Sequence, residues 1–313
     1  MKKTLLILLS LILTGCSFTN TYKNKDEKST DNPSDPPIIN PVDDKDDEDN
    51  EEEEEHQNDV ITWNDYGAFL GRSDDNSKDF DRYKYVSFEF DDFKQSTIQK
   101  LTSGGTQCFA YLNVGSLETY RTYYDRFSKY TFLDYENWSD ERWIDVTNSE
   151  WQDFIVNTVA KCFKDKGASG VYLDNVDVYS IFKENKKDYS KAATALKTVI
   201  NGLNNLGLKI LMNGGAEFID DMNDKKDTIL KSIWAYHQEE VFSLIKDYDK
   251  DVFGKQSSED SKYYKDMASI MKQKGAEVFF LEYTKDDSLK AQIDTYCSEH
   301  SYHYYCSSTV DLK

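Results

Sequence analysis

Short apolar and aromatic segments recur along the chain from residue 66 to residue 306, separated by longer amphipathic or polar stretches. Eight of these segments are typical of buried β-strands, because they are short and rich in β-branched and aromatic residues. They are Tyr66–Leu70, Tyr85–Phe90, Cys108–Val114, Gly170–Leu173, Lys209–Met212, Ile233–His237, Val278–Tyr283 and His303–Cys306.

Helical periodicity separates several of these strands. It is clearest over Glu150–Lys166, Lys191–Leu206 and Ser261–Lys274, where apolar residues recur three or four positions apart. Gly207 and Gly275 follow two of these stretches and predict helix ends, because glycine readily adopts the left-handed conformation that closes a helix. Strands that alternate with helices indicate an α/β fold with a parallel sheet. Eight such strands in about 250 residues predict a single (β/α)₈ barrel.

The amino-terminal residues have the pattern of an export signal. Lys2 and Lys3 precede an apolar run from Leu5 to Leu13, which is shorter than the roughly 20 residues that span a bilayer. Leu13-Thr14-Gly15-Cys16 resembles the cleavage site of lipoproteins. We therefore predict a signal peptide over residues 1–15 and a lipidated Cys16, which would anchor the chain to a bacterial membrane with its domain outside the cytoplasm. The alternative is an ordinary secretory signal with a chance cysteine.

Residues 16–58 have the composition of a tether. All four prolines of the chain lie here, and Asp43–Glu55 contains eleven acidic residues and one lysine. Such a segment has little apolar surface to bury, so we expect it to be disordered and extended by charge repulsion. A specific acidic interaction tail is the alternative. The barrel domain then covers residues 59–313. The formal net charge of the chain is −20, which argues against a nucleic-acid partner.

Cysteine and histidine spacing gives no sign of a metal site, and no cofactor is expected. Besides Cys16 the chain has Cys108, Cys162, Cys297 and Cys306. An exported protein can form disulfides, and Cys297 with Cys306 is a plausible pair, but buried free thiols fit equally well. Nothing in the sequence requires an oligomer, so we expect a monomer.

Acidic and amide residues follow the predicted strands, at the end of a barrel where active sites are found. They are Glu89, Asp91, Glu118, Asp174, Asn175, Asp177, Asn213, Glu239, Glu240 and Glu282. Paired carboxylates suit glycosidic bond cleavage, in which one protonates the leaving oxygen and the other attacks or stabilises the anomeric carbon. Retaining enzymes hold the pair about 5–5.5 Å apart and inverting ones about 6.5–9.5 Å, so the sequence leaves the outcome open. Nearby aromatic residues suit either sugar stacking or core packing; these are Tyr111, Tyr172, Trp234, Tyr236 and Tyr283.

Several motifs resemble glycoside-hydrolase family 114, the endo-α-1,4-polygalactosaminidase group. They are residues 110–121 (AYLNVGSLETYR), 143–146 (WIDV), 170–177 (GVYLDNVD), 213–214 (NG) and 238–242 (QEEVF). The likeness extends in order from Tyr66 to Tyr283. It implies a (β/α)₈ barrel, in agreement with the strand count, and a glycosidase that needs no cofactor. The sequence departs from the family pattern at Glu89, where relatives have an aspartate, which leaves the sugar accepted in doubt.

The resemblance implies that Asp174 and Glu239 form the catalytic pair. We expect Asp174 to be the nucleophile or charge stabiliser and Glu239 the general acid/base, with the reverse assignment open. Glu240 is expected to point elsewhere. Arg121 is expected to clamp Glu118 or Asp177, and contact with the sugar is the alternative. The residues expected to bind substrate or support the pair are Glu89, Asp91, Tyr111, Asn113, Glu118, Tyr120, Arg121, Tyr172, Asn175, Asp177, Asn213, Tyr236, Glu282 and Tyr283.

We therefore predict an endo-acting glycoside hydrolase that cleaves an amino-sugar polysaccharide resembling galactosaminogalactan or polygalactosamine. An acidic cleft would attract such a polymer where its amines are cationic. The alternative is a surface lipoprotein that keeps the barrel and binds carbohydrate without cleaving it. A third hypothesis is a solute-binding lipoprotein of a transporter. Such proteins need two lobes with a hinge, so eight evenly spaced strands disfavour it.

Overall fold

A computed structural model of the chain describes residues 63–136 and 138–313. All eight segments predicted as strands belong to one parallel sheet whose spatial order follows the chain. The sheet curls into a nearly closed barrel, in which Tyr304 of the last strand donates its N–H to the carbonyl oxygen of Trp63 at 2.9 Å. The predicted (β/α)₈ barrel is confirmed. The predicted signal peptide, the lipidation site at Cys16 and the tether lie outside the described residues.

The strands and helices are numbered along the chain. The strands are β1 (Tyr66–Phe69), β2 (Tyr85–Phe88), β3 (Gln107–Asn113), β4 (Ser116–Glu118), β5 (Thr131–Asp134), β6 (Glu141–Ile144), β7 (Gly170–Asp174), β8 (Lys209–Asn213), β9 (Ala235–Glu239), β10 (Ser243–Asp247), β11 (Val252–Lys255), β12 (Glu277–Tyr283) and β13 (His303–Ser307). The helices are α1 (Gln95–Ser103), α2 (Tyr124–Phe127), α3 (Ser149–Phe154), α4 (Lys161–Lys166), α5 (Val178–Glu184), α6 (Tyr189–Asn205), α7 (Ala216–Asp224), α8 (Ser258–Gln273) and α9 (Asp287–His300).

The three clearest helix predictions are confirmed. The first corresponds to α3 and α4, joined by a π-helical stretch over Ile155–Ala160 into one continuous segment. The other two correspond to α6 and α8, and the glycine after each has a left-handed backbone, with φ of 71° at Gly207 and 94° at Gly275. The crossover from β1 to β2 departs from the ideal pattern, because it contains two short 3₁₀ turns in place of an α-helix.

Two insertions stand at the carboxyl ends of the barrel strands. The first follows β3 and forms a three-stranded antiparallel sheet in the order β4-β6-β5. The second follows β9 and forms the antiparallel hairpin β10–β11. Loops at this end of a barrel usually carry the functional residues. Both insertions therefore lie where they can shape a site.

Alternation along each strand sorts the side chains into two layers. One set fills the barrel interior, and it includes Phe109, Tyr172, Leu211, Phe279 and Leu281. The residues between them pack outward against the helices and form the larger core. Because this alternation continues to the strand ends, every second residue there faces the barrel mouth.

Two further features are the absence of a membrane-crossing helix from the described residues and the state of two cysteines. The described residues include no helix that is both long and apolar enough to cross a membrane. Cys297 and Cys306 are free thiols, so the disulfide considered from the sequence is absent from the structure. Cys297 is buried and Cys306 is half-buried, which fits the alternative of thiols that pack in the core.

The end of β3 is tied closely to its neighbours. Trp151 in α3 is buried, and its indole Nε1 donates to the carbonyl oxygen of Val114 at 3.0 Å. The next residue, Gly115, lies so close to β7 that a Cβ atom there would be 1.9 Å from the backbone oxygen of Asn175. Only glycine allows this approach of the backbone of β3 to the residue that follows Asp174.

We expect Gly115→Ala to lower the free energy of unfolding by at least about 2 kcal/mol, because the clash involves backbone that cannot rotate away. Urea denaturation followed by circular dichroism measures the change. Gly104→Ala is the matched control, since φ there is −78° and the nearest atom to a Cβ is at 3.3 Å, and its effect should stay below about 1 kcal/mol. Equal stability of the Gly115→Ala variant and the unmodified chain would contradict the close approach.

Candidate active site

The carboxyl ends of the barrel strands and the two insertions surround one cavity of about 770 Å³. Eleven of the residues predicted from the sequence line it: Glu89, Tyr111, Glu118, Tyr120, Tyr172, Asp174, Asn175, Asp177, Asn213, Glu239 and Tyr283. They come from six of the eight barrel strands or from the loops that follow them. The structure therefore brings together residues that are far apart in the sequence.

Asp174 and Glu239 are bridged by a single amide group. Asn213 Nδ2 donates to Asp174 Oδ1 at 2.9 Å and to Glu239 Oε1 at 2.8 Å. Because one nitrogen is within hydrogen-bond distance of both, the two oxygens lie no more than about 5.7 Å apart. This upper limit for one oxygen of each carboxylate fits the separation in retaining glycosidases, about 5–5.5 Å, better than the roughly 6.5–9.5 Å of inverting ones.

Four more donors fix the two carboxylates. Asp174 accepts from the Asn175 backbone N–H at 2.9 Å and from the Tyr111 hydroxyl at 2.8 Å. Glu239 accepts from the hydroxyls of Tyr172, at 3.1 Å, and Tyr283, at 2.6 Å. Each carboxylate thus receives three hydrogen bonds. The backbone N–H and the Asn213 amide can only donate, whereas a tyrosine hydroxyl can donate to a carboxylate or accept from a protonated carboxyl.

The pKa of Asp174 is raised to about 6, first by burial and then by the negative charge of Glu239. The donors Asn213, Tyr111 and Asn175 act in the opposite direction, because they stabilise the charged form. At neutral pH the side chain is therefore mostly ionised, and it gains a proton as the pH falls through about 6.

Seven further carboxylates line the same cavity, and Asp177, Glu141 and Glu240 are three of them. Burial is the main cause that raises the pKa of Asp177 to about 6 and those of Glu141 and Glu240 to about 7. Within residues 63–136 and 138–313, neither these three nor Asp174 and Glu239 form an ion pair with a lysine, arginine or histidine. These five carboxylates thus give the cavity negative charge that no cation in the described part of the chain pairs with.

Asn175 connects the first insertion to Asp174. Its backbone is left-handed, with φ of 60°. Its side-chain Nδ2 donates to Glu141 Oε1 at 2.8 Å and to Asn113 Oδ1 at 3.1 Å, and its Oδ1 accepts from the Tyr135 hydroxyl at 3.0 Å. Asn113 is buried in this network, so it supports the site from behind the cavity wall. The inserted sheet therefore holds in place the residue whose N–H binds Asp174.

Arg121 neutralises a separate pair of acids. Its Nη2 donates to Glu89 Oε2 at 2.7 Å and to Glu118 Oε1 at 2.9 Å, and the side chain is only 6 % exposed. Of the two partners considered from the sequence, it contacts Glu118, while Asp177 accepts instead from the Gly215 N–H at 3.0 Å. Burial raises the pKa of Glu89, and the Arg121 charge opposes that rise. Arg121 is therefore a clamp beside the cavity and does not line it.

Three of the residues predicted to bind substrate are corrected by the structure. Tyr236 and Glu282 lie between inward-facing residues of their strands, so both point outward and are fully buried. Tyr236 packs in the outer core, and Glu282 accepts the backbone N–H groups of Val241, Phe242 and Ser243. Asp91 lies beside the Arg121 clamp, 3.6 Å from Arg121 Nη1, and does not line the cavity.

Sequence reasoning missed most of what the insertions contribute. Tyr135, Trp138 and Glu141 of the first insertion line the cavity, as does Tyr248 of the second. Glu240 also lines it, although its side chain was expected to point elsewhere. Its backbone is left-handed rather than extended, with φ of 57°, and its carboxylate accepts the Ile245 N–H. A high density of aromatic and acidic residues over 120–141 was the signal that could have marked the first insertion.

A family model matches most of the chain. The model of glycoside-hydrolase family GH114 matches residues 52–309. A curated relative, the uncharacterized protein MJ1477 of Methanocaldococcus jannaschii, is 25% identical over 162 residues, which is 48% of this chain and 46% of the relative. The chain thus spans less than half the length of that relative.

Two solved structures share the fold. The glycoside hydrolase domain of PelA from Pseudomonas aeruginosa has 15% sequence identity and a TM-score of 0.65, over 79% of this chain and 95% of that domain. Ega3 from Aspergillus fumigatus, in complex with galactosamine, has 17% identity and a TM-score of 0.63, over 80% of this chain and 93% of that one. At these identities the likeness shows the barrel fold.

Proposed function

The chain belongs to glycoside-hydrolase family GH114 and is a glycosidase, and from this premise we propose that it cleaves internal bonds of a polysaccharide that contains cationic galactosamine. We propose Asp174 and Glu239 as the catalytic pair. The observation that carries the pair is the Asn213 amide, which holds both carboxylates in one cavity at a spacing that suits glycosidic chemistry.

The charge of the cavity supports a cationic substrate. Asp174, Glu239, Asp177, Glu141 and Glu240 line it without an ion-pair partner in the described residues, and burial makes such unpaired charge costly. A sugar amine, which is protonated near neutral pH, would offset that cost on binding. Ega3, which has the same fold, has been solved in complex with galactosamine. Both observations favour an amino sugar.

The size and lining of the cavity support a polymer. Its volume of about 770 Å³ is in the range that encloses drug-sized ligands and exceeds what one sugar ring fills. Trp138 is 41% exposed on the first insertion, and its ring meets that of Tyr248 on the second at 5.9 Å. Exposed aromatic rings can cover the apolar faces of sugars. We propose that these two rings bind units of the chain beyond the one that reacts.

The hydrogen-bond donors differ between the two carboxylates, and this difference supports separate catalytic roles for them. Asp174 receives two groups that can only donate, the Asn213 amide and the Asn175 N–H, and these favour its ionised form. Glu239 receives one such donor and two tyrosine hydroxyls, which can serve either protonation state. We therefore assign Asp174 as the nucleophile and Glu239 as the general acid/base.

The reaction then has two steps. Asp174 attacks the anomeric carbon, the glycosidic bond breaks, and the leaving oxygen takes a proton from Glu239. Glu239 next removes a proton from water, whose oxygen attacks the same carbon and releases Asp174. Two inversions at one carbon give net retention. The close spacing of the carboxylates supports this route over direct attack by water, which needs a wider gap.

To test the function, the purified chain is incubated with partially deacetylated galactosaminogalactan and the fragment sizes are measured. We expect Asp174→Asn and Glu239→Gln to lower the cleavage rate by roughly 10³-fold or more, because each keeps its shape and loses the carboxyl. Glu277→Gln is the control and should retain full activity, because Glu277 lies at the amino-terminal end of β12, away from the cavity. A fully acetylated polymer should be cleaved more slowly.

Three results would contradict the proposal. Equal cleavage by the unmodified chain and both active-site variants would remove Asp174 and Glu239 from the reaction. Binding of the polymer without any cleavage by the unmodified chain would favour the carbohydrate-binding alternative. Equal cleavage rates on acetylated and deacetylated polymer would contradict the proposal that the negative charge of the cavity favours a cationic substrate.

The stereochemical outcome is a separate prediction. The first product released should have the same anomeric configuration as the bond that was cut, because the carboxylate spacing fits a double displacement. Proton NMR during the first minutes of hydrolysis, before mutarotation, measures it. Initial release of the opposite anomer would contradict the two-step mechanism and leave the catalytic pair itself intact.

A further inference from the structure

His237 is a buried side chain that contacts Asn213, the bridge between the two carboxylates, and the reaction itself does not use it. It lies in the interior of the barrel on β9, two residues before Glu239, and is fully buried. Its ring makes edge contacts with those of Tyr66, at 5.5 Å between centroids, and Tyr172, at 4.9 Å. It lies beyond the cavity lining, so a substrate would not touch it.

The ring contacts the amide that joins the carboxylates. His237 Nδ1 is 2.7 Å from Asn213 Oδ1, and the Nδ2 of the same amide donates to both Asp174 and Glu239. An amide oxygen can only accept, so the hydrogen must be on His237 Nδ1. The Tyr172 hydroxyl oxygen, 3.4 Å from this nitrogen, is also placed to accept, since its own hydrogen goes to Glu239.

The surroundings of the other ring nitrogen, His237 Nε2, also indicate that the hydrogen is on Nδ1. His237 Nε2 is buried and has no hydrogen-bond partner in the described residues. A neutral ring with its hydrogen on Nδ1 leaves only a lone pair at Nε2, which is the less costly group to bury without a partner. Burial also lowers the pKa of His237 to about 3, so the ring stays neutral over the pH range in which the protein would work.

We propose that His237 is a positioning residue that fixes the orientation of the Asn213 amide and, through it, the spacing of Asp174 and Glu239. If the amide turned over, its oxygen would face two carboxylates and its NH₂ would face the ring hydrogen. The Nδ1–H group therefore selects the one orientation in which both carboxylates receive a donor. This inference rests on the proposed function, because it assumes that the pair catalyses the reaction.

The decisive variants are His237→Asn and His237→Leu, made in the full chain. Asparagine and leucine have nearly the same shape, but only asparagine can place an N–H near the position of Nδ1. We expect His237→Leu to lower kcat on the galactosamine polymer by roughly 10- to 100-fold with little change in KM, because misplaced reacting groups slow the chemical step. His237→Asn should retain most of the kcat that His237→Leu loses. His237→Phe, which restores the ring without the donor, should resemble the leucine variant.

The pH profile gives a readout that packing alone would not move. Asp174 faces Glu239, Tyr111, Asn175 and Asn213, and the loss of the Asn213 donors would destabilise its ionised form. The acid limb of kcat/KM should therefore move to higher pH in His237→Leu and stay in place in His237→Asn. Equal losses in the asparagine and leucine variants, with unshifted profiles, would overturn the proposal and leave a packing role.

A second measurement does not depend on activity. The chain has four histidines, and ¹⁵N NMR of histidine-labelled protein reports which ring nitrogen carries hydrogen. The signal that disappears in His237→Asn should show hydrogen on Nδ1 and should not titrate between about pH 5 and pH 8. Hydrogen on Nε2, or titration in that range, would overturn the proposal even if the variants fold poorly. Failure of the unmodified chain to cleave the polymer would instead defeat the proposed function.

Discussion

Two carboxylates held near each other inside a protein repel, and the site depends on how this chain counters that repulsion. Asp174 and Glu239 share one amide donor, Asn213, and receive four more hydrogen bonds from surrounding groups. No lysine or arginine in the described residues pairs with either. A neighbouring cation would hold both groups ionised, whereas neutral donors leave one of them able to carry a proton. That difference is what acid/base chemistry requires.

The barrel supplies these donors through the alternation of its strands. Tyr172 and Asp174 face inward on β7, as do His237 and Glu239 on β9, and Asn213 lies between them on β8. Adjacent parallel strands place their inward residues side by side at the mouth. The first insertion then adds the Glu141 network, which holds Asn175 and its N–H against Asp174. The rigid strands set the positions of the carboxylates, and the insertion sets the wall of the cavity.

The sequence was sufficient to predict the eight strands and the main helices, because hydrophobic periodicity is a local signal. Strand-end position placed a set of acidic residues at one end of the barrel, and the resemblance to the family singled out Asp174 and Glu239 among them. Tyr236 and Glu282 were misassigned because proximity to a strand end was weighed without the inward–outward alternation. Trp138, Glu141 and Tyr248 were missed because the insertions that carry them pack by contacts distant in sequence. The direction of the Glu240 side chain was mispredicted because an extended strand was assumed at this position. Its backbone is left-handed instead.

Trapping the covalent intermediate tests the central claim most directly. The Glu239→Gln variant, incubated with a galactosaminyl fluoride, needs no acid for the first step but lacks the base for the second, so a glycosyl ester should accumulate. Peptide mapping by mass spectrometry then locates the sugar. The account predicts an adduct on the peptide that contains Asp174, and none in the Asp174→Asn, Glu239→Gln double variant. An adduct on another carboxylate, such as Glu141 or Asp177, would contradict it.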